Sequence, residues 1–199
     1  MKYFTISRVN TGEFKEKGSK FFAFVHPIES LVDYKSKLQH YKSAHLKACH
    51  ICSAYRLYLN GQLDEYASDD GEPRGSSGPP ILNRIKRHEI INVGLFVVRY
   101  FGGTKLGIPG LINAYASGAE DALLNIAKIP WKPTIIVMVE HGYNQSNIIE
   151  MVVAQFAGEI INQDFVERIQ TTVKLDEGLE IEFDKYLFEK SNGKLSVKR

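Results

Sequence analysis

The feature that most constrains the fold is a long apolar segment followed at once by two adjacent glycines. Residues 90–101 consist mainly of β-branched, leucine and aromatic side chains. A run of this kind predicts a central strand that is covered on at least one face. Gly102 and Gly103 then predict a sharp turn with a positive φ at one of the two. Residues 109–127 begin with a proline and repeat small residues every fourth position, which predicts a helix packed closely on its neighbour.

Weaker sequence patterns predict the other helices, strands and loops of residues 1–130. Ser30 is the expected N-cap of a helix that ends near Ser43. Residues 13–18 predict a polar turn between the first two strands, and residues 61–80 predict one long loop rich in Gly, Ser and Pro. The remaining predicted elements are strands at 3–8, 19–28 and 50–59 and a short helix at 81–87.

A domain boundary is expected at Pro130 and Pro133, because each proline disfavours helix in the residue before it. Residues 1–130 carry 17 Lys and Arg against 12 Asp and Glu, a net charge of +5, whereas residues 131–199 carry 8 against 11, a net charge of −3. An acidic partner would therefore meet the first domain more readily than the second.

The second domain, 131–199, shows a strand–helix–strand–strand–helix order with a short final strand. We therefore predict an α+β chain whose C-terminal domain is a small ferredoxin-like sandwich. The predicted elements are strands at 134–141, 159–165 and 169–175 and helices at 145–156 and 178–189.

Composition excludes several classes of protein. Two cysteines in 199 residues do not build a disulfide scaffold. No apolar run approaches the roughly 20 residues of a membrane span, and the first residues lack the apolar segment of a signal peptide. We expect a cytoplasmic protein without membrane association.

Two motifs resemble known sites without matching them. Cys49 and Cys52 form a C-x-x-C pair, but in a strand their side chains point to opposite faces, so we expect structural thiols and no bound metal. The turn at 102–110 has the glycine spacing of a phosphate-binding loop, yet Ile108 and Pro109 stand where a Walker motif has Lys and Ser or Thr. Loose binding of a phosphate by Lys105 and nearby amides stays open.

Asp69, Asp70 and Glu72 place three carboxylates within four residues. Such a group can bind a divalent cation or, with His50, perform acid–base chemistry. It can equally be a solvated loop whose aspartates cap turns.

The two longest motifs, at residues 68–82 and 97–107, resemble the YigZ/IMPACT family. The early segment 17–21, His50 with residues 54–56, and residues 114–115 also match its pattern. The resemblance covers essentially the whole of residues 1–130 and indicates a two-domain member of the bacterial type. The residues of its motif loops that we single out are Asp69, Asp70, Gly71, Glu72, Pro73, Gly102 and Gly103.

The resemblance implies an N-terminal β-α-β domain similar to domain IV of elongation factor G and a C-terminal domain similar to that factor's last domain. It also implies a link to translation, because the eukaryotic member modulates translation initiation. It implies no enzymatic activity common to the family and no cofactor.

Three functions remain open. The first is a non-enzymatic module that binds RNA or the ribosome, because cations and aromatic residues cluster in the first domain. The second is a small hydrolase using Asp69, Asp70 and Glu72 with His50. The third is a regulator whose long loop binds a translation-regulatory protein. The residues expected to contact nucleic acid are His50, Arg56, Arg99, Tyr100 and Lys105, with Lys47 and Arg74 as neighbouring cations.

Overall fold

The structure is a computed structural model that describes residues 3–59, 61–165 and 167–198. Its contacts divide the chain into two units, Met1–Trp131 and Lys132–Arg199. The first unit contains β1 (Tyr3–Thr5), β2 (Asn10–Glu16), β3 (Ser19–Pro27), α1 (Leu31–Ala44), β4 (His50–Leu59), β5 (Gln62–Ser68), α2 (Gly78–Arg87), β6 (Val93–Tyr100), α3 (Gly107–Leu123) and β7 (Ile129–Trp131). The second contains β8 (Thr134–His141), a 3-10 turn (Tyr143–Gln145), α4 (Ser146–Gln155), β9 (Glu159–Phe165), β10 (Ile169–Asp176), α5 (Glu180–Lys190) and β11 (Val197–Lys198).

The first unit is a three-layer arrangement around a five-stranded sheet in the order β2-β3-β6-β4-β5. All neighbouring strands in it are antiparallel. Because β3 and β4 both run opposite to β6, they are parallel to each other, and α1 joins them as a crossover. In the same way α2 joins the parallel strands β5 and β6.

The apolar run forms β6, the middle strand of this sheet, and its alternating side chains enter two cores. One core lies under α2 and α3 and contains Val97 with Phe21 and Tyr115. The other lies under α1 and contains Phe96 with Tyr34. The prediction of a covered central strand is confirmed, and the reason is that both faces of the sheet carry helices.

Three strands were missed, and two of them are amphipathic edge strands with polar side chains. Residues 10–16 form β2, so residues 13–16 belong to a strand and the turn is confined to Lys17 and Gly18. Residues 62–68, predicted as part of a loop, form β5 and pair with β4. The first strand is shorter than predicted, and β1 pairs with β7, whose three residues the sequence pattern did not reveal.

Helix boundaries differ by a few residues. Ser30 caps α1 by accepting a hydrogen bond from the Asp33 amide, as predicted. The helix predicted at 109–127 spans Gly107–Leu123, and the helix predicted at 81–87 begins earlier, at Gly78.

The second unit has the element order β-α-β-β-α-β and one antiparallel sheet in the order β11-β8-β10-β9. This is the arrangement of the split β-α-β motif. Its core lies between that sheet and the helices α4 and α5, with Val139, Val173 and Phe183 fully buried. Among the described residues, no helix is both long and apolar enough to span a membrane.

Candidate functional site

The two motif segments of the first unit meet at a cavity of about 390 Å³, which we call the His50 cavity. Its walls come from the start of β4, the loop before α2, the end of β6 and the turn that leads into α3. The lining residues are Cys49, His50, Glu72, Pro73, Arg99, Phe101, Lys105, Leu106, Gly107, Ile108 and Leu111.

The pairing of β4 with β6 explains how His50 and Arg99 come together. The two residues lie directly opposite each other in the antiparallel ladder. Since opposite residues project from the same face of a sheet, both side chains point toward the layer of α2 and α3.

Glu72 and Arg99 form a buried ion pair at the base of the cavity. The Arg99 Nη1 donates to Glu72 Oε1 at 2.5 Å, and the Tyr115 hydroxyl donates to the same oxygen at 2.8 Å. The two charged side chains are 8% and 4% exposed. Burial, together with nearby Cys52 and Glu72, raises the pKa of Tyr115 above its ordinary value, so the phenol stays protonated. Arg99 therefore holds the motif loop to the sheet through its Nη1, which is not available to a surface phosphate.

Asp69 organises the start of α2. Its carboxylate accepts hydrogen bonds from the amides of Gly75, Ser77 and Gly78 at 2.8–3.0 Å and from the Ser77 hydroxyl at 2.8 Å. Partial burial opposes ionisation, but these donors outweigh it and lower the pKa of Asp69. The carboxylate is thus committed to the fold of its own loop.

Asp70 joins the loop to β4 and to α1. Its carboxylate accepts from the Ile51 amide at 2.7 Å and from Lys42 Nζ at 3.0 Å. Its carbonyl oxygen lies 2.7 Å from His50 Nδ1. A carbonyl only accepts, so Nδ1 carries the proton and the neutral ring has an unprotonated Nε2.

These contacts weigh against the hydrolase hypothesis. That hypothesis needs a loop carboxylate beside His50, whereas His50 meets a carbonyl oxygen. All three carboxylates of the segment 69–72 are engaged by other donors of the protein.

The two thiols differ in environment. The Cys52 side chain is buried and its thiol donates to the Asp69 carbonyl at 3.0 Å, and burial raises its pKa to about 12. Cys49 is exposed and lines the His50 cavity. Within residues 3–59, 61–165 and 167–198, no group of three or more His, Cys, Asp or Glu side chains could hold a metal ion.

The residues expected to contact nucleic acid do not share one surface. His50, Arg99 and Lys105 line the His50 cavity. Tyr100 projects to the opposite face, where its hydroxyl lies 2.8 Å from His45 Nδ1. Arg56 belongs to neither place, because it is buried, pairs with Glu65 at 2.8 Å and donates to the Ile90 carbonyl.

Tyr100 lines a second cavity, of about 470 Å³, which we call the aromatic groove. Phe101 borders both cavities, so they adjoin at the end of β6. The groove is lined by Gly18, Lys20, Phe22, Phe24, His45, Tyr100 and Phe101.

The glycines and the proline of the motif loops shape these walls. Gly71 has φ +89 and faces the His50 ring, Gly103 has φ +90, and Gly102 packs against the backbone of Gly18. Pro73 lines the His50 cavity. The predicted positive φ at one of the paired glycines is confirmed at Gly103.

Sequence reasoning missed the contributions of Cys49 and Tyr115. Cys49 was considered only as half of a C-x-x-C pair, although its position next to His50 was a signal. Tyr115 is one of the bulky residues beside the small-residue stripe of α3, and its contact with Glu72 spans 43 residues.

Comparison with known proteins supplies the family. The model of the Impact N-terminal domain matches residues 17–123, more than half of the chain. The IMPACT family member YvyE of Bacillus subtilis is 29% identical over 196 residues, covering 98% of this chain and 90% of the relative. The IMPACT family member YigZ of Escherichia coli is 30% identical over 182 residues, covering 91% and 89%. A crystal structure of a hypothetical protein has a TM-score of 0.71 at 28% identity, covering 98% and 96%. The resemblance carried by the two motif segments is therefore confirmed, and the chain belongs to the IMPACT family.

Proposed function

We propose that this protein regulates translation as a non-enzymatic binding protein, and that its first unit contacts RNA, free or in the ribosome, through the aromatic groove. The link to translation rests on the family resemblance. The observation that carries RNA binding is the chemistry of the groove, which combines aromatic rings with a lysine and has no carboxylate among its lining residues.

Aromatic rings suit unpaired bases because every base has a flat face to stack. Phe22 and Tyr100 pack edge to face with centroids 6.0 Å apart, and Phe101 is 48% exposed. Stacking of one base on such a ring contributes about 1–3 kcal/mol. Lys20 is exposed at the rim of the groove, where a phosphate of the same strand would lie.

Only some of the residues that the sequence predicted to contact nucleic acid take part in the proposed RNA contact. Tyr100 belongs to the groove, and Lys105 is an exposed cation beyond Phe101 that extends the positive border. His50 lies deeper, in the adjoining cavity. Arg56 and Arg99 take no part in phosphate binding at the surface, because both are buried in ion pairs. We also propose that the first unit resembles domain IV of elongation factor G and that the second resembles that factor's last domain.

The test is a titration of the full chain with a fluorescently labelled single-stranded RNA at about 50 and about 200 mM salt. We expect affinity to fall with salt and Lys20→Ala to reduce the log–log slope by about 0.7, the value for one phosphate contact with a single strand. Phe22→Leu keeps an apolar side chain but removes the ring, so it should weaken binding at both salt concentrations.

Lys35→Ala is the matched control, since Lys35 is an exposed lysine on α1 that lines neither cavity. Absence of binding at low salt, or equal effects of Lys20→Ala and Lys35→Ala, would contradict the proposal. Either result would favour the alternative in which the chain regulates translation by binding a protein.

A further inference from the structure

We propose that the His50 cavity binds a small molecule that carries a phosphoryl group on an apolar body. The His50 cavity shares Phe101 and Lys105 with the proposed RNA contact, but the inference does not depend on RNA binding. It rests on an unsatisfied buried donor, an uncapped helix N-terminus, an unpaired lysine, and the size and composition of the walls.

The strongest observation is Arg99 Nε, a buried donor without a hydrogen-bond partner among the residues that the structure describes. The guanidinium is held in place by Glu72 and lies between the rings of Phe21 and Phe101, each 5.6 Å from its central carbon. Buried polar atoms are rarely left unpaired, and each exception calls for an explanation. Arg99 lines the cavity, so a shift of its guanidinium that opens Nε to the cavity would let an oxygen of a bound anion satisfy this donor.

The N-terminus of α3 opens into the same cavity. Leu106, at the N-cap position, makes no side-chain cap, and the first turn holds no acidic residue. Gly107 and Ile108 belong to this turn and line the cavity. Pro109 removes one donor, but the amides before it stay unpaired within the helix. The N-terminal end of a helix of 17 residues attracts anions through these amides and through its dipole.

The charge balance of the walls also favours an anion. Lys105 is exposed and makes no ion pair with any of the residues that the structure describes. Glu72 is the sole carboxylate among the lining residues, and Arg99 and Tyr115 already occupy it. Lys105 therefore leaves a net positive charge at the mouth, and His50 Nε2 can accept a hydrogen bond from a phosphoryl hydroxyl.

Size and wall composition define the rest of the ligand. A volume of about 390 Å³ lies in the range of small-molecule sites, about 300–1,000 Å³. It exceeds what a phosphate alone would fill. The other walls are mainly apolar, formed by Pro73, Phe101, Leu106, Ile108 and Leu111. These features fit a phosphate monoester whose organic part is aromatic or aliphatic.

Cys49 makes the proposal testable on the intact protein. Its exposed thiol lines the cavity, whereas Cys52 is buried, hydrogen-bonded and has a pKa raised to about 12. Because the thiolate is the reactive form, iodoacetamide at neutral pH should label Cys49 alone, which peptide mass spectrometry checks. The labelling rate is measured with phenyl phosphate, with inorganic phosphate, with phenol, and with sodium chloride at equal ionic strength.

We expect phenyl phosphate to slow labelling severalfold, inorganic phosphate to do so at higher concentration, and phenol and sodium chloride to have little effect. Lys105→Ala should weaken protection about tenfold, the loss of one charge-assisted contact, while Lys35→Ala leaves it unchanged. Ile108→Asp should abolish protection, because its carboxylate would compete for the helix amides, and Ile108→Asn is its neutral control.

Three results would overturn the inference. The first is a labelling rate that phosphate compounds lower no more than sodium chloride does. The second is protection that Lys105→Ala and Ile108→Asp leave intact. The third is stronger protection by a short RNA oligonucleotide than by phenyl phosphate, which would assign the cavity to the RNA surface. The RNA proposal is tested separately, by the effect of Lys20→Ala on RNA affinity, so the two proposals can fail independently.

Discussion

Asp69, Asp70 and Glu72 are all engaged by donors of the protein itself, and each ties the motif loop to a different place. Asp69 binds the start of α2, Asp70 binds β4 and Lys42, and Glu72 binds Arg99 and Tyr115. Side chains that look like a catalytic or metal-binding cluster in the sequence therefore hold the walls of the His50 cavity. The reactive groups left in that cavity are His50 Nε2, the Cys49 thiol and Lys105.

A second histidine, His26, should make stability depend on pH. His26 Nε2 lies 2.5 Å from the Tyr41 hydroxyl, and burial, reinforced by Lys37, lowers its pKa to about 4. The unfolded chain has the ordinary pKa of about 6.5, so between these values the unfolded state binds more protons. The free energy of unfolding should therefore rise with pH from about 4 to about 6.5 and level off above.

Urea titrations across this pH window check the effect. His26→Asn should flatten the rise in the free energy of unfolding. His40→Asn, at an exposed histidine of α1 that contributes least among the causes of the lowered His26 pKa, should largely keep it. If the free energy of unfolding rises equally with pH in the wild type and in His26→Asn, other groups cause the pH dependence between about 4 and about 6.5.

Between elements, the closest approach that shapes the site lies where the β2–β3 turn meets the turn after β6. A Cβ at Gly102 would lie 1.9 Å from the carbonyl carbon of Gly18 and 2.2 Å from the Ser19 amide nitrogen. Gly103, next in the chain, has open space around it but φ +90. Adjacent glycines thus serve two physical requirements, close packing at Gly102 and a left-handed backbone at Gly103.

The two glycines should respond differently to alanine. Gly102→Ala forces two backbone segments apart and should lower the free energy of unfolding by about 3 kcal/mol or more. Gly103→Ala only strains its own φ and should cost about 1–2 kcal/mol. Chemical denaturation of both variants measures the two changes in the free energy of unfolding. A larger decrease for Gly103→Ala than for Gly102→Ala would mean that the two turns can move apart at little cost.

At the scale of the whole molecule, two units carry separate cores. The final strand of the first unit, β7, pairs with β1, and Trp131 packs on Tyr58 with ring centroids 4.9 Å apart. The natural end of the first unit is therefore after Trp131 rather than before it.

We expect a fragment of residues 1–131 to unfold in one cooperative transition, because its core is complete. A fragment that ends at Ala127 lacks β7 and should be less stable by about 1–3 kcal/mol, since it exposes the Tyr58 ring and removes the antiparallel partner of β1, leaving β1 its bridge between Phe4 and Ile90. Thermal melts followed by circular dichroism compare the two. A gradual, non-cooperative melt of the 1–131 fragment would mean that the first unit needs the second to fold.

Local patterns were enough to predict the elements whose signal is contained in their own residues. The apolar run of β6, the Ser30 cap of α1 and the strand–helix order of the second unit are of this kind, because burial on both faces, capping and helical periodicity act over a few residues. The motif segments 68–82 and 97–107 likewise sufficed to recognise the family. The edge strands β2 and β5 were not predicted, because an amphipathic polar segment becomes a strand only when a neighbouring strand supplies its hydrogen bonds.

The site itself was decided by tertiary structure. From sequence, Arg99 looked like a cation after a central strand, and only folding brought Glu72 to 2.5 Å from it, across 27 residues. The same folding placed Cys49 beside α3, whereas the opposite directions of Arg99 and Tyr100 follow from the alternation of side chains along any strand. Sequence alone determined which residues are charged, apolar or flexible. Long-range contacts, which no local pattern encodes, decide which charges are neutralised and which donors stay unpaired. They also decide which of these side chains line the same cavity.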